Sequence, residues 1–418
     1  MIIIMYKSLL FIFCFFYALF PLVAQDYDLI IRGGHVIDPK NNIDEPMEVA
    51  ISGDTIALIA KKISGEAKQV VSAQGMYVMP GLIDMHAHNF YGTEPEHAYS
   101  NGFSAIAPDG FTFRTGVTTV ADAGGSGWKS FPDFKQQTID HSQTRVLAWL
   151  NIVGEGMRGG DYEQNLKDMD AQQAAKIAKE NSDHIIGFKV AHFEGPDWTP
   201  VDRAVEAGKL AGGLPVMIDF GGSDPPLSIE ELFMEHLRPG DVFTHCFGEL
   251  DTRESIVDRK TKKVKPFVLE AQKRGIIFDV GYGGISFAFS QAIPAVKSGF
   301  YPNSISTDIH IGSMNNAMKD MLSVMSKFLA MGMELTPVVA ASTWAPAQAL
   351  HHEELGHLSA GAIADVAILR VRQGDFGFFD YTGYKIEGKE KLECEMTIKG
   401  GKIVYDLNGI ANPLVLRD

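Results

Sequence analysis

Short apolar runs recur through the middle of the chain, and each run ends in polar or glycine-rich residues. Eight of these runs are predicted strands, at 82–88, 116–122, 145–153, 185–190, 214–219, 242–246, 276–280 and 304–308. Segments with helical periodicity lie between most of them, at 168–180, 202–211, 228–236, 264–273 and 316–331. From the fourth run onward the spacing is roughly 26 to 35 residues, which is typical of strand-plus-helix units in a parallel sheet. The pattern predicts an α/β fold, specifically a (β/α)8 TIM barrel.

The two ends of the chain have a different pattern, made of short β-like pieces joined by Gly and Asp turns. The pieces near the start are at 28–31, 35–37, 47–51, 55–59 and 69–72, and those near the end are at 364–369, 394–399 and 402–406. Lys399-Gly-Gly-Lys402 is typical of a hairpin turn. We therefore expect residues 25–78 and 355–418 to form one small composite β-sandwich domain beside a (β/α)8 barrel of residues 79–354.

The N-terminal segment has the composition of a secretory signal peptide. A single cation, Lys7, precedes an apolar run at 9–23, which ends in Ala24 before polar residues. The run is shorter than the roughly 20 residues that a membrane span needs, although an uncleaved anchor is the alternative interpretation. The sequence predicts a signal peptide at 1–24 and a periplasmic or secreted mature protein with no other membrane association.

Charge and cysteine content narrow the possible partners. The 37 basic and 52 acidic side chains give a formal net charge of −15, which disfavours nucleic acid and anionic membrane surfaces. Only Cys246 and Cys394 fall outside the predicted leader, too few for a disulfide framework. A small-molecule substrate is the expected partner, and a homo-oligomer is possible.

A candidate metal site begins with His86 and His88. Residues two apart on a strand point to the same face, so both imidazoles converge at the end of the first predicted barrel strand. Lys189, His245 and Asp308 end other runs, and active sites of such barrels lie at these strand ends. Nitrogen and carboxylate ligands suit zinc, as one or two ions. A lysine ammonium would repel a metal ion, so Lys189 fits this site only as a CO2-derived carbamate.

These residues lie in phrases that resemble the amidohydrolase superfamily, and in particular its amidohydrolase/deacetylase, or dihydroorotase-like, metallohydrolase branch. The phrases are Pro80-Gly-Leu-Ile-Asp-Met-His-Ala-His88, Gly116-Val-Thr-Thr-Val120, Gly187-Phe-Lys-Val190, Asp279-Val-Gly-Tyr-Gly-Gly284 and Ser306-Thr-Asp-Ile-His310. They are spread over nearly the whole mature chain. The resemblance implies a metal-dependent hydrolase, with zinc as the expected metal, that cleaves a C–N amide, cyclic amide or acetyl ester bond of a small molecule.

The resemblance also implies roles for single residues. His86, His88 and Asp308 would hold the first metal, Lys189 as a carbamate would bridge to a second, and His245 would serve the second. Asp308 is the implied catalytic residue, a general base and acid that takes a proton from the attacking metal-bound hydroxide and passes it to the leaving group.

One position departs from the superfamily pattern. Where a histidine is expected at the end of the fifth strand, this chain has Asp219. Asp219 is a possible zinc ligand that keeps two metals. Alternatively, the second site is weak or empty and the enzyme uses one metal. A third possibility is that His192 bends back to replace the imidazole, which needs a bulge or loop because alternation places it opposite Lys189.

Substrate contacts are predicted at four residues, Arg158 for a substrate carboxylate and Tyr282, Gly283 and His310 at the ends of the last two strands. Packing at the barrel mouth is the alternative for Tyr282. The leading function is removal of an N-acyl or O-acyl group from a small carboxylate-bearing molecule. A hydantoinase or dihydroorotase-like cyclic amidohydrolase, an acyl-amino-acid hydrolase and a metal-poor non-catalytic binding protein are the alternatives.

Overall fold

The computed structural model describes residues 27–94, 104–219 and 222–411. The predicted signal peptide at 1–24 lies outside these residues. Among the helices of the described part, none is long and apolar enough to cross a membrane.

Strands occur throughout the described part of the chain. They are β1 (Tyr27–Asp38), β2 (Ile43–Ser52), β3 (Thr55–Ala60), β4 (Ala67–Ser72), β5 (Tyr77–Pro80), β6 (Leu82–Ala87), β7 (Val117–Gly127), β8 (Arg145–Asn151), β9 (Ile185–Ala191), β10 (Val216–Asp219), β11 (Val242–Phe243), β12 (Ile277–Phe278), β13 (Val366–Phe379), β14 (Lys385–Lys399) and β15 (Lys402–Asp406).

Helices concentrate between the strands of the central region. They are α1 (Phe131–Gln137), α2 (Ala171–Glu180), α3 (Thr199–Leu210), α4 (Ile229–Glu231), α5 (Pro266–Arg274), α6 (Phe289–Lys297), α7 (Ile311–Met314), α8 (Met321–Ala330), α9 (Leu335–Ala340) and α10 (Trp344–Ala349). A π-helical turn, Leu232–His236, continues α4. Short 3-10 turns lie at Pro39–Asn41, Pro108–Gly110, Phe113–Thr115, Ile139–His141, Gly160–Tyr162 and Leu166–Asp168.

Seven of the strands form one parallel, curled sheet in the order β12-β11-β10-β9-β8-β7-β6. Residues 304–309, which include the predicted eighth strand, make single parallel bridges to both edges of this sheet, Asp279 to Ser304 at one edge and Ala87 to Ile309 at the other. Every residue of β6 and β9 is buried, as expected for parallel strands covered on both faces. The α/β class is confirmed.

Local sequence explains where the helices begin and which face they bury. The carboxylate of Asp170 accepts hydrogen bonds from the backbone N–H groups of Gln172 and Gln173, which caps α2. The buried residues of α2 include Ala174 and Ala178, four apart and therefore on one face. Each predicted helical segment contains a helix, with bounds that shift by a few residues.

A separate mixed sheet joins the two ends of the described chain. Its order is β15-β14-β13-β5-β1-β2-β3, and β4 pairs with β1 in parallel. Lys399 pairs with Lys402 across the turn between β14 and β15, which confirms the predicted hairpin. The proposed domain boundaries stay a prediction.

The β13–β14 hairpin is much longer than the sequence predicts. Only 364–369 and 394–399 were expected as strands, whereas the two strands pair as far as Phe379 and Lys385. Phe378 and Leu392 of this hairpin belong to the same apolar cluster as the strands of the parallel sheet. The hairpin therefore ties the second sheet to the first.

Candidate metal centre and active site

His86 and His88 both lie buried at the C-terminal end of β6, as predicted. The Nε2 atom of His88 is 2.7 Å from Oδ1 of Asp308, and the Nε2 atom of His86 is 3.5 Å from the same oxygen. Burial, followed by the nearby Lys189, lowers the pKa of His86 to about 3. Burial alone would raise the pKa of Asp308, but the two histidines hold it well below its usual range. The structure therefore brings these three predicted ligands together.

Lys189 is fully buried at the end of β9 and reaches the same centre. Its Nζ atom is 3.3 Å from Nε2 of His86 and 3.6 Å from Oδ2 of Asp219. Burial lowers the pKa of the Lys189 amine, although Asp219 and Asp308 oppose this effect. A fully buried lysine beside imidazoles has little structural use, which supports a role in the centre.

Asp219, the departure from the superfamily pattern, is surrounded by nitrogen atoms. Its Oδ2 atom is 3.1 Å from Nε2 of His245 and 3.4 Å from Nε2 of His192. Its Oδ1 atom is 3.2 Å from Nη2 of Arg253. Burial alone would raise the pKa of Asp219, but the neighbouring cations hold it well below its usual range. The Asp219 side chain is thus an ionised carboxylate in contact with several nitrogen atoms.

His192 is turned toward this centre rather than away from it. Its Nδ1 atom is 2.9 Å from Oε2 of Glu163, and its backbone N–H donates to the carbonyl of Asp219 at 2.8 Å. Burial would lower the pKa of His192, but Asp219 and Glu163 raise it to about 9. The placement matches the third interpretation from the sequence, in which His192 bends back toward the site.

Three residues of the centre have backbone angles that side chains rarely adopt. His192 has a φ of 51°, His245 of 56° and Asp308 of 50°. Left-handed conformations cost a non-glycine residue about 1 kcal/mol or more and tend to occur at functional sites. For His192, this geometry removes the strict alternation that would have pointed it away from Lys189.

Buried hydrogen bonds at the Nδ1 atoms hold the rings of His86 and His245 in place. The Nδ1 atom of His86 is 2.9 Å from Oγ1 of Thr244, which donates to Asp279 Oδ2 at 2.7 Å. The Nδ1 atom of His245 is 2.5 Å from the carbonyl oxygen of Gly281. Such outer contacts fix ring orientation and leave the Nε2 atoms facing the centre.

Glycines leave room for the side chains of the centre. A Cβ atom at Gly124 would lie 2.6 Å from Cγ of Lys189, and one at Gly281 would lie 2.9 Å from Nδ1 of His86. A Cβ atom at Gly283 would lie 2.3 Å from Oδ2 of Asp308. Gly283 is a predicted substrate contact, and the structure adds a steric reason for a glycine at this position.

The donor set fits a metal such as zinc. One ligand atom each from His86, His245 and Asp308 lie within 4.8 Å of one another, and all three residues are buried. Two imidazoles and a carboxylate are the ligand types that zinc prefers. His88, Lys189 and Asp219 add further donors at the edges of this group.

Arg158, the predicted contact for a substrate carboxylate, is paired with carboxylates of the chain itself. Its guanidinium is paired with Glu94 and, at 3.3 Å, with Glu155, and it stacks over the ring of Tyr162 at 4.2 Å. Two carboxylates of the chain already surround it. The structure therefore favours Arg158 as a loop-ordering residue over its prediction as the substrate-carboxylate contact.

Tyr282 and His310, also predicted to contact substrate, differ in their placement. The Tyr282 ring is buried and stacked on Phe287 with centroids 4.3 Å apart, and its hydroxyl donates to the carbonyl of Phe379 at 2.8 Å. The packing alternative therefore describes Tyr282 better, because the phenol is used inside the fold. His310 lies beside the centre, with its ring centroid 6.2 Å from that of His88.

Several residues of the centre were missed from the sequence. Glu163 and Thr244 contact His192 and His86, and no role is predicted for either residue from the sequence. Arg253 carried a usable signal, because it is a cation in the loop that follows His245 at the C-terminal end of a strand.

Comparison with known proteins gives consistent relatives. Residues 289–404 match the Amidohydrolase family. A deacetylase of Enterococcus faecalis is 32% identical over 388 residues, which cover 91% of this chain and 100% of the relative.

Solved structures agree with the sequence relatives. The structure of an adenine deaminase matches with a TM-score of 0.82 and 31% identity, covering 91% of this chain and 100% of that one. The structure of a dihydroorotase matches with a TM-score of 0.78 and 28% identity, covering 90% and 99%. The similarity therefore extends over both sheets and over the residues of the centre.

Proposed function

Because the chain belongs to the amidohydrolase superfamily and is a hydrolase acting on carbon–nitrogen bonds other than peptide bonds, we propose that it removes an acyl group from the nitrogen of a small carboxylate-bearing molecule in a metal-dependent reaction. The observation that carries the proposal is the buried cluster of His86, Lys189, His245 and Asp308 at the strand ends. Buried titratable groups at such a position are typical of a catalytic centre.

The residues present suit one or two zinc ions. His86, His88 and Asp308 would hold the first, and Lys189, Asp219 and His245 would serve the second. When bound, zinc would activate a water molecule and polarise the acyl oxygen. The neutral Lys189 amine would add CO2 at its nitrogen and release one proton, which would convert it into an anionic carbamate ligand.

Asp308 is the group that we assign to proton transfer. Its Oδ1 atom lies 2.7 Å from Nε2 of His88, and Gly283 leaves the space beside its Oδ2 atom. In the reaction, Asp308 would take a proton from the attacking water and deliver it to the leaving nitrogen. Such transfer typically contributes 10²- to 10⁴-fold to the rate.

Arg253 replaces Arg158 as the proposed contact for the substrate carboxylate. It lines the same small cavity as Asp219 and His245, and its Nη2 atom is 3.2 Å from Oδ1 of Asp219. Arginine is suited to this role because its planar donors match a carboxylate. His310 beside His88 is a further proposed contact.

We make two further proposals, one about the fold and one about the cellular location. The bridges of 304–309 to both edges of the parallel sheet support its closure into a (β/α)8 barrel. The composition of residues 1–24 supports export to the periplasm or medium. Amino-terminal sequencing of the mature protein, expected to begin at Gln25, tests the second.

The function is tested with a substrate panel on the purified zinc-loaded protein. N-acetyl amino acids, an O-acetyl hydroxy acid, dihydroorotate and a hydantoin would be offered in parallel, with Asp308→Asn as the inactive control. We expect the acyclic N-acyl compounds to be hydrolysed with the highest kcat/KM. Preference for a ring amide would instead support the cyclic amidohydrolase alternative, and no hydrolysis of any compound would overturn the proposal.

A further inference from the structure

We propose that His192 is a metal ligand of this chain, which supplies the imidazole that position 219 lacks, and that Glu163 positions it. The inference rests on the proposed metal-dependent function and assigns one more residue to the centre. It explains how a chain with Asp219 in place of a histidine keeps a nitrogen-rich second site.

The first argument is the arrangement of donors around Asp219. Its Oδ2 atom has Nε2 of His245 at 3.1 Å, Nε2 of His192 at 3.4 Å and Nζ of Lys189 at 3.6 Å. One carboxylate oxygen thus faces three nitrogen atoms, two from the end of β9 and the residue that follows it and one from His245, which follows β11. Two imidazoles with one carboxylate are a zinc ligand set, and a Lys189 carbamate would complete it.

The second argument is the contact on the other side of the His192 ring. Histidines that bind metals usually donate their remaining N–H to a carboxylate, which fixes the tautomer and directs the other nitrogen toward the metal. Nδ1 of His192 lies 2.9 Å from Oε2 of Glu163, and Glu163 is itself buried. The backbone N–H of Gly159 donates to the second Glu163 oxygen at 3.1 Å, so this carboxylate is held in place.

The third argument is that the backbone conformation at His192 turns its side chain toward Asp219. The side-chain amide of Gln164 donates to the carbonyl of His192 at 2.8 Å, and the carbonyl of Asp219 accepts from its N–H at 2.8 Å. These two bonds pin the residue at a φ of 51°. A surface histidine has no need of an unfavourable left-handed conformation, whereas a residue that must face Asp219 does.

The side chains of Asp219 and His192 are therefore complementary. Asp219 places a carboxylate where the superfamily pattern has an imidazole, and His192 places an imidazole next to that carboxylate. The number of nitrogen donors at the second site is preserved, while the added negative charge makes the site more attractive to a divalent cation.

The experiment measures metal binding directly on the mature protein. Zinc per chain would be determined by elemental analysis, and zinc affinity by competition with a chromophoric chelator, for the wild type, His192→Ala and Glu163→Gln. His236→Ala is the matched control, because His236 also pairs through Nδ1 with a carboxylate, that of Asp202 at 2.6 Å, but is not among the residues of the centre.

We expect about two zinc ions in the wild type and in His236→Ala, but about one in His192→Ala. Glu163→Gln should bind the second ion roughly 10- to 100-fold more weakly, and this near-isosteric change tests the proposal even if His192→Ala does not fold. Unchanged zinc number and affinity in the folded His192 and Glu163 variants would overturn the proposal. Loss of zinc as expected without hydrolysis of any substrate by the wild type would count against the proposed function alone.

Discussion

Gly283 lies directly against the carboxylate of Asp308, so that a Cβ atom at position 283 would be 2.3 Å from Asp308 Oδ2. Gly283 also has a φ of 60°, which a side chain rarely adopts. The position of the proposed proton-transfer group thus depends on the absence of a side chain one strand away.

Gly283→Ala should therefore displace the Asp308 carboxylate and lower kcat by at least about 100-fold, the smaller end of what a general base contributes. Steady-state kinetics with a circular dichroism check of folding would measure this. The neighbouring Gly284→Ala is the control, since a Cβ atom there would meet nothing closer than His310 at 3.9 Å. Equal activity of the two variants would contradict the steric role.

Asp308→Asn should lower kcat by roughly 10²- to 10⁴-fold, because an amide cannot take up the proton of the attacking water. KM should change little, since Asp308 is proposed to act on the proton and not to bind substrate. Kinetics on protein with a measured zinc content separate this effect from metal loss. A variant that keeps its zinc and full kcat would remove Asp308 from the mechanism.

Arg253→Met should raise KM for a carboxylate-bearing substrate by roughly 10- to 100-fold, which corresponds to the loss of about 1.5–3 kcal/mol for a charge-assisted contact. The methyl ester of the same substrate should be much less affected. Comparison of kcat/KM for the acid and its ester measures the difference. Arg158→Met, whose guanidinium is already held by Glu94 and Glu155, should not discriminate between them, and the reverse result would restore the original prediction.

Tyr282→Phe should cost about 0.5–1.5 kcal/mol of unfolding free energy, because the partly buried hydrogen bond from its hydroxyl to the carbonyl of Phe379 is lost. Activity should stay within about twofold of the wild type, since the hydroxyl is used inside the fold and not in the site. Urea unfolding and kcat/KM measure the two effects. Tyr384→Phe, which alters an exposed side chain, is the control. A fall in kcat/KM without a fall in stability would indicate a substrate contact after all.

Lys327 should give the folded protein a pH-dependent stability. It is buried over the ring of Tyr282 at 4.0 Å, and burial lowers its pKa from 10.5 to about 7. Between these values the unfolded chain binds the proton more tightly, so stability from this group rises as the pH increases from about 7 to about 10.

Unfolding free energies from urea titrations at several pH values would test this effect. Lys327→Met should remove a slope of up to about 1.4 kcal/mol per pH unit relative to the wild type. Lys297→Met, at an exposed lysine, should leave the slope unchanged. Parallel curves for the wild type and Lys327→Met would show that this lysine titrates normally.

Much of the centre could be predicted because its residues stand at the ends of apolar runs. Strand alternation places His86 and His88 on one face, and the strand ends bring Lys189, His245 and Asp308 to the same edge. Each apolar run is recognised from residues that are close together in sequence, and the parallel-barrel pattern then places the ends of distant runs at one edge.

The parts that the sequence leaves open depend on contacts between distant segments. The partners of Arg158 and Tyr282 include Glu94 and Phe379, and no local pattern connects these pairs. The length of the β13–β14 hairpin is underestimated because charged residues and glycines interrupt its outer half, which therefore lacks a continuous apolar run. The turning back of His192 depends on a single backbone angle, which the sequence permits but does not dictate.

The bond between His88 and Asp308 joins residues that are 220 positions apart in the chain. During synthesis, the first pair of histidines is therefore made long before the carboxylate that completes their donor set. Contacts of such long range form late, because the intervening loop must be closed first. A metal ion that bound to the proposed centre early would meet only part of its ligands, so full occupancy would mark a chain in which residues 304–308 have already packed against the first strand of the sheet.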